Sequence, residues 1–312
     1  MDRFAELKAF NVVAACGGFS PAARQLGVAT SSVTRLVDAL EERLGAVLLN
    51  RSTRSVTLTE AGRTYHDEAR RILERLDAAD DAVSDRAGGV AGLLRVAAPV
   101  TFGTMFIAPI LPELRARHPH LTLDLRLDDS AVNLVDESID VAIRIGSLDA
   151  NPSLVARRLT GHARVLCASP GYLAGRGVPQ TPADLAQHDC LQFSFDGNRR
   201  SWRLRRKDGD AAFDLPVQEI DVNSVVQANN GELLRQAALS GLGVAMLADW
   251  LVQDDLLAGR LVQVLDDYEV NPGPMDVALH ALYQASRRGS HKIRMFVDLL
   301  GEQLARAGLS GP

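Results

Sequence analysis

Apolar residues recur at helical spacing along Val33, Leu36, Val37, Leu40 and Leu44, which predicts one helix with a single buried face. Just before it, Ala22-Ala23-Arg24-Gln25-Leu26 predicts a shorter helix that opens at Ser20-Pro21. Gly27 can take the left-handed conformation that ends it, and Thr30 or Ser31 is the expected cap of the longer helix. Two helices joined so tightly form a helix-turn-helix, which lays the first turns of its second helix on base edges in the major groove of double-stranded DNA. Ser31, Ser32, Thr34 and Arg35 stand at those positions. Arg35 is the strongest candidate, because a guanidinium can bind guanine in two places or grip a phosphate. For each hydroxyl, helix capping is the competing role.

Two β-prone runs, Val47–Asn50 and Val56–Leu58, flank the polar turn Arg51–Ser55 and predict a small hairpin. In that place a hairpin is a wing, and Arg51 and Arg54 at its tip can reach a phosphate or a minor groove. The alternative is a solvated turn. Beyond Thr59, an expected cap, Tyr65, Ala69, Ile72, Leu76, Ala79 and Val83 alternate steps of four and three as far as about Arg86. That stripe is as narrow as a coiled-coil seam, so it predicts a dimerisation helix rather than a helix packed on its own domain. Arg86–Gly92 reads as a hinge.

From Leu93 the pattern turns to short strands alternating with helices. Strands are expected at 94–98, 121–127, 140–146, 164–168, 219–222 and near 244–247. Helices are expected from 101 through Leu114, at 132–137, and from about Ser224 to Ser240. Such alternation implies a mostly parallel sheet of the α/β type. In the basic run Asn198–Lys207, Trp202 and Leu204 alternate with Arg203 and Arg205, which predicts a surface strand with its charges outward.

Composition narrows the function more than it defines it. A chain of 312 residues with 46% hydrophobic and 23% charged residues has room for two or three globular domains. No apolar run is long enough to span a bilayer, the N-terminus lacks a secretory pattern, and Cys16, Cys167 and Cys190 are few and scattered. These features predict a cytoplasmic protein without a disulfide framework. A net charge of -5 excludes a chain that is basic all over, but leaves room for a local DNA-binding face. His118-Pro119-His120 lacks metal-site spacing, and Gly241-Leu242-Gly243 lacks the rest of a dinucleotide loop. No nucleophile motif has an identifiable base, so the reading is of a non-enzyme with no metal or cofactor.

The run Phe10…Gly18-Phe19-Ser20…Ala22-Ala23…Leu26…Val33-Thr34-Arg35…Leu40-Glu41…Leu44-Gly45…Leu48-Leu49…Arg51…Leu58-Thr59…Ala61-Gly62 resembles the N-terminal signature of LysR-type transcriptional regulators. Leu48-Leu49-Asn50-Arg51 is similar to a subgroup with two leucines before the wing arginine. Ile143-Arg144-Ile145-Gly146, Ala168-Ser169-Pro170-Gly171-Tyr172-Leu173 and His188-Asp189-Cys190 carry the resemblance through the rest of the chain. It implies an α plus α/β architecture. A winged helix-turn-helix (1–58) is followed by a linker helix and hinge (59–91), then by a two-lobed α/β effector-binding domain (92–312) resembling periplasmic solute-binding proteins. The chain would cross between lobes near Gly161–Val165 and near Val264–Tyr268, giving lobe I about 92–161 and 268–300 and lobe II about 162–267.

In that fold the helix starts at Thr101 and Ser224 would face one cleft, where helix N-termini suit a small organic acid. The candidate cleft residues are Thr101, Phe102, Asp129, Ser130, Phe193, Asn223 and Ser224, with Arg144 either facing the ligand or pairing with a buried acid. The resemblance further implies a homodimer or homotetramer on an interrupted palindromic operator. Where the family often has a glutamine, this chain has Ser31, so no base preference carries over. The competing functions are a constitutive repressor without a ligand and an enzyme with a DNA-binding arm.

Overall fold

Three helices and a hairpin open the chain. Helix α1 (Arg3–Cys16) is capped by Asp2, whose carboxylate accepts from Phe4 N at 2.9 Å. Helix α2 (Phe19–Leu26) starts ahead of Ser20-Pro21, with Gly18 as its N-cap, and ends at Gly27 with φ 67°. Helix α3 (Thr30–Leu44) corrects the expected cap: the Ala29 carbonyl takes the first helical bonds, from Ser32 and Val33, so Thr30 and Ser31 lie inside the first turn. Strands β1 (Leu49–Arg51) and β2 (Val56–Leu58) pair antiparallel as the wing. Thr59 caps helix α4 (Glu60–Ser84), its Oγ1 accepting from Gly62 N at 2.9 Å. Phe10, Val13, Val33, Val37, Leu40 and Leu48 fill one core between these pieces.

The computed structural model describes residues 2–51, 56–84, 90–130, 139–146, 153–194, 201–207 and 216–309. Arg54, most of the hinge, the expected helix at 132–137, residues 198–200 and the side chains of Ala79 and Val83 lie outside the described residues. Within α4, Tyr65 packs 5.8 Å from Phe10 and Ala69 is 1% exposed in the single chain. The first two seam positions therefore brace α4 against its own chain, whereas Ile72 is 47% exposed.

The remainder forms two five-stranded sheets. Strand β3 (Gly92–Ala98) leads into α5 (Val100–Phe102), a π turn (Gly103–Ile107), a 3-10 turn (Ala108–Ile110) and α6 (Leu111–Arg117). Strands β4 (Leu121–Leu127), β5 (Val141–Gly146) and β6 (Leu154–Gly161) follow in the same lobe. The second lobe holds β7 (Arg164–Ala168), α7 (Pro170–Arg176), β8 (Asp189–Phe193), β9 (Ser201–Arg206), β10 (Gln218–Asp221) and β11 (Asn223–Ala228). It continues with α8 (Gly231–Leu239), β12 (Val244–Ala248), α9 (Asp249–Leu257), β13 (Val262–Val264) and β14 (Tyr268–Asn271). Strand β15 (Ala278–Gln284) and helix α10 (His291–Arg306) return to the first lobe.

Lobe I has strand order β4-β3-β5-β15-β6 and lobe II β11-β8-β12-β7-β13, with a three-stranded β10-β9-β14 sheet beside it. Each large sheet has two parallel and two antiparallel pairings, so the expected mostly parallel sheet is corrected to a mixed one. The antiparallel pairs arise where the chain changes lobe, because a strand entering from the other lobe need not make a helical crossover. The first change falls at 161–164 as expected. The second does not fall near 264–268: β14 still pairs with β9, so the chain leaves lobe II between Asn271 and Ala278. Residues 268–271 thus belong to lobe II.

Ser224 does not start a helix. Asn223–Ala228 continues as β11, parallel to β8, and α8 begins at Gly231 with Asn230 as its cap. The β9 alternation holds, with Trp202 and Leu204 buried and Arg203 and Arg205 on the other face, paired to Glu219 and Glu269. Cys167 and Cys190 are buried, and burial pushes both thiols up to about 12, so they are packing residues rather than redox thiolates.

Gly243 serves close packing. A Cβ there would stand 2.2 Å from the Asp189 carbonyl oxygen, which is backbone and cannot swing aside. Gly243→Ala is expected to destabilise the protein by about 2–3 kcal/mol through forced displacement of β8 from β12. Denaturant unfolding measures it, and a loss below about 0.5 kcal/mol would show that the strands accommodate the methyl group.

Candidate nucleic-acid interface and ligand cleft

Helix α3 buries Val33, Val37 and Leu40 and turns its other side outward. Ser31 and Arg35 are exposed there, with Ser32 and Thr34 half-buried beside them. The Thr34 hydroxyl donates to the Thr30 carbonyl at 3.0 Å, one turn back. Among the described residues, Arg35 makes no hydrogen bond or ion pair, so its guanidinium is available to a partner outside the chain.

Arg51 is different. Its Nη2 lies 2.8 Å from Asp38 and 2.5 Å from Glu41, and its guanidinium sits 4.9 Å from the Phe19 ring centre. Glu41 also accepts from Leu48 N at 2.7 Å and Leu49 N at 3.0 Å. Arg51, expected to reach a phosphate or a minor groove, is held by these contacts and ties the wing to α2 and α3. The reason is local: Asp38 and Glu41, one turn apart on α3, both face β1 and meet Arg51 at its end.

A cavity of about 600 Å³ lies between the two lobes. Thr101, Phe102, Asp129, Ser130, Arg144 and Phe193 all line it, drawn from β3–α5, the end of β4, β5 and β8. Asn223 and Ser224 do not, because β11 carries them to its far end and the cavity meets the later Gln227, Ala228 and Asn229 instead. The helix start on this side is therefore that of α8. Sequence reasoning also missed His162, Arg164 and Trp250, which gather at the crossover. The signal for Arg164 was present, as a cation directly before the apolar strand Val165–Ala168.

The aromatic floor joins the lobes. Trp250 of α9 meets Phe106 edge-on at 5.4 Å and Phe102 at 6.1 Å. Its indole N–H donates to His162 Nδ1 at 3.4 Å, which leaves the imidazole proton on Nε2. Burial lowers the His162 pKa to about 3, so the ring is neutral, and its Nε2 has no hydrogen-bond partner among the described residues. Arg164 donates to Asn271 Oδ1 at 2.8 Å, and burial lowers its pKa to about 10, which still leaves it charged at neutral pH.

Both helix starts are capped from within. Asp129 Oδ1 accepts from Val100 N at 3.0 Å, and Asn230 Oδ1 accepts from Leu233 N at 3.0 Å. Across the cleft, Asn230 Nδ2 donates to Asp129 Oδ2 at 2.7 Å. At each helix start one amide is thus taken by a side chain of the chain itself, and the start expected at Ser224 is replaced by that of α8. Arg144, expected either to face the ligand or to pair with a buried acid, lines the cavity and donates to the Ser130 carbonyl at 3.2 Å, beside the exposed Asp128. Hydrogen bonds from Ser130 and the nearby Arg144 charge hold the Asp128 carboxyl below its usual range.

Residues 4–63 match the family description "Bacterial regulatory helix-turn-helix protein, lysR family", and residues 87–305 match "LysR substrate binding domain". The chain is 36% identical over 299 residues to the HTH-type transcriptional regulator CrgA of Neisseria meningitidis serogroup C, covering 96% of each chain. It is 36% identical over 301 residues to the HTH-type transcriptional regulator DmlR of Escherichia coli, covering 96% of this chain and 94% of the relative. The solved structure of CrgA, described as a LysR-type transcriptional regulator, is similar with a TM-score of 0.60 at 34% identity, covering 96% of this chain and 98% of that one.

Proposed function

The chain belongs to the LysR family of transcriptional regulators, with a helix-turn-helix DNA-binding region and an effector-binding domain, and on that premise we propose that a small organic acid in the interlobe cavity sets its grip on DNA. Residues 1–58 bind the operator, α4 and the hinge pair subunits through Ile72, Leu76, Ala79 and Val83, and residues from 92 onward sense the effector. A dimer or tetramer so formed reads an interrupted palindrome through Ser31, Ser32, Thr34 and Arg35 of each α3, working as a soluble cytoplasmic regulator rather than an enzyme. The free guanidinium of Arg35 supports the DNA face.

One observation carries the effector reading: a buried cation, Arg164, already bonded to Asn271, lines the same cavity as the apolar rings of Phe102 and Trp250. An anion bound there recovers interaction that burial took from the cation, while the rings cover its carbon chain. The Trp250 floor and the Asp129–Asn230 bridge tie the two lobes together across the cavity. A ligand that prefers one lobe spacing therefore shifts the population of subunit arrangements, by no more than its difference in affinity for the two.

Thermal unfolding of the full chain with a panel of small carboxylic acids tests this. A binding acid at about 100 times its Kd is expected to stabilise the protein by about 2.7 kcal/mol. Arg164→Met is expected to abolish the shift. The reading fails if the acids leave the wild type unmoved, or if Arg164→Met keeps the full response.

A further inference from the structure

Asp129 is the cavity's unusual charge. It is half-buried, and the two groups that bond to it, the Val100 amide and the Asn230 carboxamide, are both neutral. Among the described residues no cation comes within ion-pair distance of it. The neighbouring Asp128 differs, being turned back on Ser130 and set beside Arg144. A carboxylate has about four acceptor sites, and Asp129 uses two. It therefore brings an unneutralised negative charge with spare acceptor capacity into a cavity whose crossover wall carries the Arg164 cation.

We propose that Asp129 determines effector specificity, selecting an acid that carries a hydrogen-bond donor, an ammonium or a hydroxyl, at the end away from its carboxylate. The inference rests on the organic-acid reading above and narrows it. The carboxylate end takes the Arg164 wall, the carbon chain runs over Phe102 and Trp250, and the donor end meets Asp129. A second carboxylate at that end would face a like charge and would find the Val100 amide already taken. The selection is thus partly repulsive, since a dicarboxylate of the same length is excluded by the same atom that attracts a donor. The Asn230 bridge gives the selection a readout, because a donor arriving at Asp129 competes with the carboxamide that ties lobe II to lobe I.

Four acids of one chain length test this by calorimetry and thermal shift on the full-length protein: butanoate, succinate, 4-hydroxybutanoate and 4-aminobutanoate. The wild type is expected to bind 4-aminobutanoate or 4-hydroxybutanoate at least about tenfold more tightly than succinate, the size of one charge-assisted hydrogen bond. In Asp129→Asn, which keeps the side-chain shape and an acceptor for Val100 N, succinate is expected to come within about threefold of the amino acid. Unfolding of the ligand-free variant, and the same titration in Asp129→Ser, separate loss of selection from loss of fold. Succinate binding the wild type as tightly as the donor-bearing acids overturns the inference and leaves the organic-acid reading standing. Unchanged preference in both variants also overturns it. No response to any of the four acids overturns the inference, and the organic-acid reading falls with it when the wider acid panel also leaves the wild type unmoved.

Discussion

Asp255→Ala is expected to destabilise lobe II by about 3–5 kcal/mol, lowering the unfolding midpoint by roughly 6–20 °C. The Asp255 side chain is 0% exposed, with Arg235 Nε at 2.5 Å and Arg260 Nε at 2.7 Å. It joins three elements, since Arg235 lies on α8, Asp255 on α9, and Arg260 on the turn before β13. Removing the acid leaves Arg235, only 19% exposed, with Glu232 alone. The penalty is that of a stranded cation rather than the gross strength of the ion pairs, which burial largely offsets. An Asp255→Leu, Arg235→Met double variant should therefore recover a substantial part of the loss.

Acid provides an independent check. Burial alone would raise the Asp255 carboxyl, but the hydrogen bonds from Arg235 and Arg260 outweigh it and hold the folded-state pKa below the usual carboxylate value. Its contribution is present above the unfolded-state pKa and is lost as pH falls through the folded one. The gap between wild type and Asp255→Ala should therefore narrow on acidification below the carboxylate range. A gap that stays constant down to denaturation would show that packing, not charge, sustains it.

What the sequence made legible was local. Gly27 and Gly45, at φ 67° and 64°, close α2 and α3 by a backbone rule that needs no tertiary partner. The α3 stripe, the Thr59 cap and strands such as Leu121–Leu127 follow from period alone. Two of the misreadings share one cause. Ser224-Val225-Val226-Gln227 runs smoothly into the α8 pattern, and only pairing with β8, more than thirty residues earlier, makes it a strand. Likewise Tyr268–Asn271 joins lobe II because β9, some sixty residues earlier, is its partner. Six cleft residues were legible because they end strands or start a helix. His162 and Trp250 were not, because the crossover that gathers them with Arg164 is set by the arrangement of two sheets.

Arg35→Ala is expected to cost about 1–3 kcal/mol of operator affinity per half-site, and about twice that in a dimer that uses both copies of α3. The expectation starts from what the structure leaves unspent. Arg51, Arg43 and Arg205 are paired to acids of their own chain, but Arg35 is exposed and has no partner among the described residues. Its backbone is fixed, since Val33 and Val37 on either side are both fully buried in the core beneath α3. Truncation should therefore leave the unfolding midpoint nearly unchanged while weakening DNA binding. Footprinting of the promoter beside the gene supplies the site, and titrations at several salt concentrations then show what Arg35 grips. If it grips a phosphate, truncation in each subunit lowers the magnitude of the salt slope by about one per copy and weakens all sequences alike. If it grips a base, the slope stays and preference relaxes at one position of each half-site. Arg35→Lys keeps the charge but not the two-pronged geometry, so it should restore a phosphate interaction and not a guanine one. If Arg35→Ala protects the same footprint at physiological salt and at the same protein concentration, the arginine is not on the reading face, and the hydroxyls of Ser31 and Ser32 must carry the DNA contact that its exposure suggests.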